Sequence, residues 1–505
     1  MTEKTFLKKW TKSDTLKSAL LFLMHFIIFI GIAATLLLWD KRGDALGGYL
    51  REQGANFVYA IFCIFLLFVL TYFYFYFEDR ETLASARNIA LVFTVLHVYL
   101  VFSCVIGYKI AIYARPVALV AMLLFVLIGR KNAIFMNVIC AFLIFVIDTF
   151  GVPEVPAKIC YSSLVISFSA GMVAIYFGAR LKSRLSVVIN GFVVCLPIVL
   201  IIFILEVSGF LEQGAQITAG AQSPWRQIVA QLGFGLFGGL TSAILFLTFL
   251  PVFEWTFNCL TMFRLRELSS LDAQVLKSLK EKAPGTYNHS MMVAQLAEAC
   301  AAALGENVDM ARAAALYHDV GKMQYPEHFT ENQGDYNLHD ELTPELSADI
   351  IRSHAKDGYV LIRSHHLPEF LADIAVQHHG TLPIRYFYAK ALKMTDGELN
   401  IEDFSYMGPK PQSKLAAIIM ICDAAEAAVR AANARTPEQA EKAIRGVIEE
   451  RMDLEQFAEC DVTMGDLTKI RLALVNTLTG VYHHRIQYPN IKYHRTEKGT
   501  KGENQ

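Results

Sequence analysis

Residues 315–322, ALYHDVGK, decide how the second half of this chain is read. An alanine-rich helical stretch ends on the adjacent pair His318-Asp319, and Val320-Gly321-Lys322 stops the helix at once, so two neighbouring side chains converge on one point. Outward from this pair, five more residues of the same character stand in informative contexts. They are His289 in TYNHSMMVAQLAE, His354 in IIRSHAKDG, the pair His378-His379 in AVQHHGT, and Asp423 in IIMICDAAEAA. Twelve of the fourteen histidines fall after residue 288, a skew that needs a cause. Asp423 lies in a strongly apolar helix, where an unpaired carboxylate is costly to bury, so it is expected to be ion-paired or to hold a cation. Five imidazoles and two carboxylates suit Fe, Mn or Zn, and seven ligands are too many for one ion. Two ions sharing one carboxylate account for the number, and Asp319 is the best bridge. Taken singly, each residue has an ordinary account as a hydrogen-bonded core histidine or a paired helical aspartate; the joint pattern favours ligation. His328, His339, His365, His366, His483, His484 and His494 lack such contexts and are read as surface or local hydrogen-bonding groups.

Around these residues, 282–485 shows helical patterning almost throughout and no run of period-two alternation, so this domain is expected to be all-α. Helices are predicted over Ser290–Leu304, Asp309–His318, Pro344–Lys356, Pro368–His378, Ser413–Ala432, Thr436–Met452 and Thr463–His483. Residues 486–505 form a polar tail. Upstream, 257–281 reads as an amphipathic linker helix. Leu265, Leu268, Leu271, Val275, Leu276 and Leu279 form one stripe, which either packs on the domain that follows or pairs two copies of the chain. No P-loop or GxGxxG is present.

The first half is of another kind. The chain is 54% hydrophobic and 18% charged, with a mean hydropathy of +0.37, and nearly all of the excess lies before residue 257. A spanning helix needs roughly 20 apolar residues, and eight segments are read as spans: 18–39, 55–77, 88–113, 115–129, 132–150, 158–179, 186–210 and 228–250. The fourth is short, which leaves a re-entrant or tilted unit open there. The fold class is therefore a polytopic transmembrane helix bundle of about eight spans followed by an all-helical domain. An even count puts both termini on one side. The basic tail, residues 1–17 with Lys4, Lys8, Lys9, Lys12 and Lys17, shares a side with Arg80, Arg87, Arg130, Lys131, Arg180, Lys182 and Arg184. The opposite loops hold Lys41, Arg42, Arg51, Lys109, Arg115, Lys158 and Arg226, so both termini are expected in the cytosol. The nine cysteines are scattered without a CxxC pair and read as small buried hydrophobes. Net charge is −1, which gives no support to a polymeric nucleic-acid partner. A transporter role is disfavoured because the spans hold few charges, Asp148 being one.

The phrases APGTYNHS, YHDVGKM, ENQ, QHHGT, YFYAKA and GPKPQSK stand here in an order that closely resembles the HD superfamily. Within it they resemble the seven-transmembrane HD phosphodiesterases of the PgpH type, which hydrolyse cyclic di-AMP. The resemblance covers about residues 228–490 by motif and the earlier spans by topology. It implies one ion on His289, His318, Asp319 and Asp423, a second on Asp319, His354, His378 and His379, a bacterial cytoplasmic membrane location, and hydrolysis of cyclic di-AMP to linear pApA. QHHGTLPIRYFYAKA stands where enzymes acting on cyclic di-GMP carry HHExxDGxGYP, so that substrate ranks lower. Lys322 is placed to neutralise a phosphate oxygen. Thr381, Tyr388, Lys390, Lys410 and Lys414 are candidate substrate contacts, with Tyr386, Phe387 and Tyr388 either a stacking face for adenine or core. The sequence departs from the family in three places. Only about fifteen residues, Asp40 to Gly54, separate the first two spans where members carry a large extracytoplasmic domain. The arginine usual before the YPGP-like motif is absent from DFSYMGPKPQ. Leu415 replaces a common glutamate. Rival readings are an HD hydrolase of another nucleotide, such as an alarmone, and a membrane receptor that binds a dinucleotide without cleaving it.

Overall fold

The structure is a computed structural model that describes residues 12–39, 44–152, 154–178, 183–212, 224–334, 336–395, 397–434 and 436–481. Lys4, Lys8, Lys9, Lys41, Arg42, Arg180, Lys182, His483, His484, His494 and the 486–505 tail lie outside the described residues. The chain divides between Glu267 and Leu268 into two compact units, inside the predicted 257–281 linker.

The first unit contains α1 (Lys12–Leu38), α2 (Asp44–Glu78), α3 (Arg80–Ala84), α4 (Ala86–Lys109), α5 (Leu119–Ile128), α6 (Arg130–Val146), α7 (Ala157–Gly178), α8 (Arg184–Glu212) and α9 (Pro224–Thr256). Among the described residues, seven helices are long and apolar enough to cross a membrane; the fourth predicted span is instead the shorter apolar stretch Ile112–Ile128. It opens with a 3-10 turn, Ile112–Ala114, continues without regular structure, and becomes helical only at Leu119. Leu119 to Leu124 are buried, and α5 packs against α4, α6, α7 and α9. Non-helical backbone at such depth is tolerable because protein, not lipid, surrounds it.

Arg115 lies in this stretch and is not a loop charge, contrary to the sequence reading. It is buried, and its terminal nitrogens donate to both oxygens of Asp148 at 2.6 and 2.7 Å. Nε donates to the Ser103 carbonyl at 3.1 Å, and Tyr108 donates to Asp148 at 2.6 Å. A π-helical turn, Ile147–Gly151, ends α6 and contains Asp148. Gly107 makes room, since a Cβ there would stand 2.2 Å from Arg115 Nε.

The second unit begins within α10 (Met262–Leu268) and continues through α11 (Gln274–Lys282), α12 (Pro284–Leu304), α13 (Val308–Tyr317), α14 (Pro344–Ser364), α15 (Glu369–Gln377), α16 (Arg385–Leu392), α17 (Lys414–Ala431), α18 (Pro437–Asp453) and α19 (Met464–Val481). The predicted linker helix is therefore two helices. A turn closed by Ala273 N–H donating to the Ser270 carbonyl interrupts it, and Ser269-Ser270 are poor helix formers. Leu265, Leu268, Val275, Leu276 and Leu279 are buried while Leu271, in the break, is exposed, so no continuous apolar stripe is left on this segment. The seven predicted helices correspond to α12–α15 and α17–α19, with α12 starting at Pro284 and not Ser290 and α14 running on to Ser364, while α16 was not predicted; N-caps stand at Asn307, Thr343, Ser413 and Thr436. No strand occurs among the described residues; one isolated antiparallel bridge joins Pro383 and Ser405.

The core is built on α12 and α17, which pack together and against α13, α18 and α19. Ile418, Ile419, Ile421 and Cys422 of α17 are buried, which holds the Asp423 backbone rigid between apolar neighbours. All nine cysteines are free thiols.

Candidate metal centre

Five elements deliver the seven residues. His289 comes from the second turn of α12, His318-Asp319 from the end of α13, His354 from α14, His378-His379 from the end of α15, and Asp423 from α17. The turn after Asp319 is pressed against α14. A Cβ on Gly321 would lie 1.9 Å from the His354 carbonyl oxygen, so the glycine following the His-Asp pair is what brings Asp319 beside His354.

The side chains form two groups with a shared member. The ligand atoms of His289, His318, Asp319 and Asp423 all lie within 4.8 Å of one another, as do those of Asp319, His354, His378 and His379. Asp319 faces both. Its Oδ2 is 3.2 Å from His318 Nε2 and 3.9 Å from His289 Nε2; its Oδ1 is 3.3 Å from His354 Nε2 and 3.5 Å from His378 Nε2. Asp423 spans the groups similarly, with Oδ1 2.9 Å from His289 Nε2 and Oδ2 3.8 Å from His379 Nδ1.

The hydrogen bonds of the rings fix what they offer. His318, His354 and His378 each use Nδ1–H to donate to a carbonyl of their own helix, of Ala315 at 2.6 Å, Ile351 at 2.5 Å and Ala375 at 2.9 Å. With Nδ1 so engaged, all three rings turn Nε2 inward, and a neutral ring offers its lone pair there. Nε2 of His354 and His378 face each other at 3.3 Å, with Asp319 Oδ1 beside both, so three acceptors converge on one point. Asp319 Oδ1 and His318 Nε2 have no hydrogen-bond partner although both are buried. A cation satisfies such a set, and imidazole with carboxylate is a donor set that fits divalent transition ions.

Electrostatics divide the two groups. Burial favours the neutral ring of His289, but hydrogen bonds with Asp423 and Glu426 raise its pKa to about 9. His318, also buried, is raised to about 10 by Asp319 and Asp423. His378 and His379 are lowered instead, by burial and, for His379, by the neighbouring His378. Burial would raise Asp319, yet Lys322 and His318 hold it well below the usual carboxylate range.

Of the other predicted residues, Lys322 belongs to the cluster. Its Nζ is 2.7 Å from Asp319 Oδ2 and 2.9 Å from Glu331 Oε1. Thr381 is held by Gln456, whose Oε1 accepts from Thr381 N at 3.0 Å. Lys410 pairs loosely with Glu455 at 3.9 Å, on a segment anchored to α15 by Gln412 N donating to Gln377 Oε1. Tyr388, Lys390 and Lys414 are engaged elsewhere. Tyr388 packs with Phe404 in a small satellite core and donates to the Leu399 carbonyl, Lys390 donates to the His339 carbonyl, and Lys414 pairs with Asp466 at 3.1 Å. Phe387 is core, and Tyr386 is exposed. His339 is buried with a local bond to the His328 carbonyl, and His365 and His366 are exposed.

Three residues of the site escaped the sequence reading. Glu426 accepts from His289 Nδ1 at 2.9 Å, the position from which a carboxylate orients a histidine that ligates a metal. Its signal was present, since it follows Asp423 by three residues on the same helix and is a buried acid. Glu331 balances Lys322. Tyr406 stacks on His379, with ring centroids 4.3 Å apart at 28°; it opens the YPGP-like stretch, which the sequence reading noted without giving the tyrosine a role.

Fold and site together define a polytopic helical membrane protein carrying an HD domain. The chain is similar to the seven-transmembrane proteins with an intracellular HD hydrolase. The model described as HD domain matches residues 286–428, and the model described as 7TM receptor with intracellular HD hydrolase matches residues 55–261. The latter range takes in five of the long apolar helices whole and most of a sixth, Leu46–Glu78, together with the shorter apolar stretch Ile112–Ile128. The cyclic-di-AMP phosphodiesterase PgpH of Listeria monocytogenes is 48% identical over 262 residues, covering 52% of this chain and 36% of its own. PgpH of Bacillus subtilis is 35% identical over 432 residues, 84% of this chain and 59% of its own. The chain thus spans between about a third and three fifths of the length of these relatives. The crystal structure of the L. monocytogenes PgpH HD domain in complex with cyclic-di-AMP is 50% identical to the region it matches, covers 42% of this chain and 99% of its own, and has a TM-score of 0.41.

Proposed function

We propose that this chain is a membrane-anchored phosphodiesterase that hydrolyses one phosphodiester of cyclic di-AMP to give linear pApA, using two divalent transition ions, Mn or Fe. The observation that carries this reading is the position of Asp319, whose two oxygens face two separate sets of inward ligand atoms. When bound, a pair of divalent ions supplies an activated water and charge neutralisation for in-line displacement at phosphorus. The chain's own residues do the rest. Asp319 and Asp423 join the two ligand groups, and Glu426 fixes the His289 ring. Lys322 sits where a phosphate oxygen of the substrate would meet a cation, while Glu331 sets its position. Thr381 and Lys410 flank the paired histidines and are assigned to the substrate rim. The activity stated by name for the two PgpH relatives supports cyclic di-AMP as substrate.

The second unit is assigned to the cytosolic face of a bacterial cytoplasmic membrane. Eight apolar segments, with Ile112–Ile128 counted as a traverse, return the chain to its starting side, and removing the buried Arg115 from the outer loops sharpens the basic asymmetry. The test is the purified full chain with Mn or Fe, incubated separately with cyclic di-AMP and cyclic di-GMP, with Asp319→Ala as control. Formation of pApA from the first substrate alone is expected; folded wild-type protein that yields none with either ion rejects the proposal. Proteolysis of the second unit in inside-out but not right-side-out vesicles is expected, and the reverse pattern rejects the assigned side.

A further inference from the structure

Tyr406 is the one aromatic side chain in direct stacking contact with a predicted ligand while its polar end is free, and nothing above uses that end. Its position is built from the backbone outward. Leu382 N–H donates to the His379 carbonyl at 3.1 Å, Tyr406 N–H donates to the Leu382 carbonyl at 3.0 Å, and Ile384 N–H donates to the Phe404 carbonyl at 2.8 Å. These bonds and the Pro383–Ser405 bridge clamp 404–406 beside the segment that leaves the paired histidines. Phe404, buried among Ala348, Phe387 and Ala391, anchors one side of the clamp. Met407 on the other side is 84% exposed, so the chain passes from core to solvent across Tyr406.

The ring lies over His379 and meets His354 edge-on, with centroids 5.9 Å apart at 83°. The hydroxyl feels the charges of Lys322, Asp319, Asp423 and Glu331 and has no hydrogen-bond partner among the described residues. The charged groups around it are paired with others, Lys322 with Asp319 and Glu331 and Asp423 with His289. A phenol keeps its proton at neutral pH, and unlike lysine it adds a donor without adding a charge that repels cations.

We propose that the Tyr406 hydroxyl donates a hydrogen bond to a non-bridging oxygen of the phosphodiester under attack, with stacking on His379 fixing the donor's direction. This assignment rests on the phosphodiesterase reading above for its reaction, but its anion-binding part stands apart from any substrate. One face of the ring is already taken by His379, and the hydroxyl is the polar group that the stack leaves available. The bond strengthens as negative charge gathers on the phosphoryl oxygens, which places its effect in turnover more than in binding.

The experiment uses the full chain in detergent micelles, loaded with Mn, as wild type, Tyr406→Phe and Tyr406→Ala. Three quantities are read: Mn per chain, affinity for inorganic phosphate, and kcat and KM for cyclic di-AMP. Tyr406→Phe keeps the stacked ring and is expected to retain the wild-type Mn content. It is expected to bind phosphate on the order of 10-fold more weakly, the loss of one hydrogen bond to a charged group, and to lower kcat by about 10²-fold with KM little changed. Wild-type phosphate affinity and kcat in Tyr406→Phe overturn the proposal. So does a loss of activity that tracks loss of Mn, which makes the residue structural. A defect confined to KM and seen only in Tyr406→Ala overturns it in favour of base stacking. If the wild type cleaves no cyclic dinucleotide yet phosphate affinity still depends on the hydroxyl, the phosphodiesterase reading fails and the donor assignment stands.

Discussion

The chain buries two clusters of charge, one in each unit, and they are built on opposite principles. In the membrane unit, Arg115 and Asp148 meet in a two-pronged pair, and Tyr108, Ser103 and Ser163 take up further donors and acceptors. Its two charges are paired with each other. In the HD unit, imidazole lone pairs and an aspartate oxygen point at each other, and Asp319 Oδ1 and His318 Nε2 are left without partners. That cluster is open, and only a ligand from outside closes it. Burial alone therefore does not mark a functional site. A buried charge that finds its own partner holds a fold together, whereas one held beside further acceptors, with unpaired atoms facing inward, is arranged for something the polypeptide does not contain.

Breaking each cluster at its centre gives the largest contrast. Asp319→Ala removes the residue common to both ligand groups and is expected to lower phosphodiesterase activity by on the order of 10³-fold or more, because the Lewis-acid contribution it supports is worth several kcal/mol. The fold should survive, as judged by the circular dichroism of the purified chain. A variant that keeps most of its turnover breaks the comparison at the outset. In the membrane unit, Arg115→Met leaves Asp148 buried and unpaired, an expected cost of about 3–5 kcal/mol in stability. The double variant Arg115→Met with Asp148→Leu should recover most of that cost in thermal unfolding followed in micelles. Failure of the double change to recover stability, with activity lost beside it, makes the membrane cluster more than a structural clasp.

How far these clusters were legible in the sequence follows from the same distinction. The seven clustered residues of the HD unit were readable because their contexts are local: a His-Asp pair at a helix stop, paired histidines at another, an aspartate inside IIMICDAAEAA. Arg115 was not, since it sits next to Pro116 between two apolar runs and resembles any loop arginine until α5 is seen to start late and the preceding turn to be buried. The stacking of Tyr406 on His379 was not legible for a similar reason. YFYAKA lies close after the paired histidines in sequence, yet α16 turns Phe387 into the satellite core and packs Tyr388 there, while Tyr406 arrives from 25 residues beyond Thr381 through a two-segment clamp that no local pattern encodes. The linker failed differently. Its apolar spacing was right, but spacing is blind to a turn at Ser270–Ala273 that costs the pattern only one residue, Leu271.

A smaller change tests whether the open cluster is as precisely supported as the closed one. Glu426→Gln keeps the size of the side chain and removes the charge that orients His289, and metal affinity is expected to fall by roughly 10–100-fold. Competition against a chelator of known strength measures it. An unchanged affinity means that Asp423 alone fixes the ring.

The smallest effect separates the two ligand groups from each other. Without metal, His289 and His318 have pKa values raised to about 9 and about 10, so at pH 7 both rings carry a proton that must leave before either nitrogen ligates. The sign follows: as pH rises toward 9, fewer protons oppose binding and affinity at this group climbs, by up to about tenfold per pH unit for each proton displaced. His378 and His379 are lowered, hence already neutral at pH 7, and their group should show no comparable climb. Metal titrations by calorimetry between pH 6 and 8, in buffers of different ionisation enthalpy, should resolve one binding step that releases protons and one that releases few. Two steps with equal proton release would mean that Asp319, shared between the groups, couples them too tightly for either to keep its own electrostatic character.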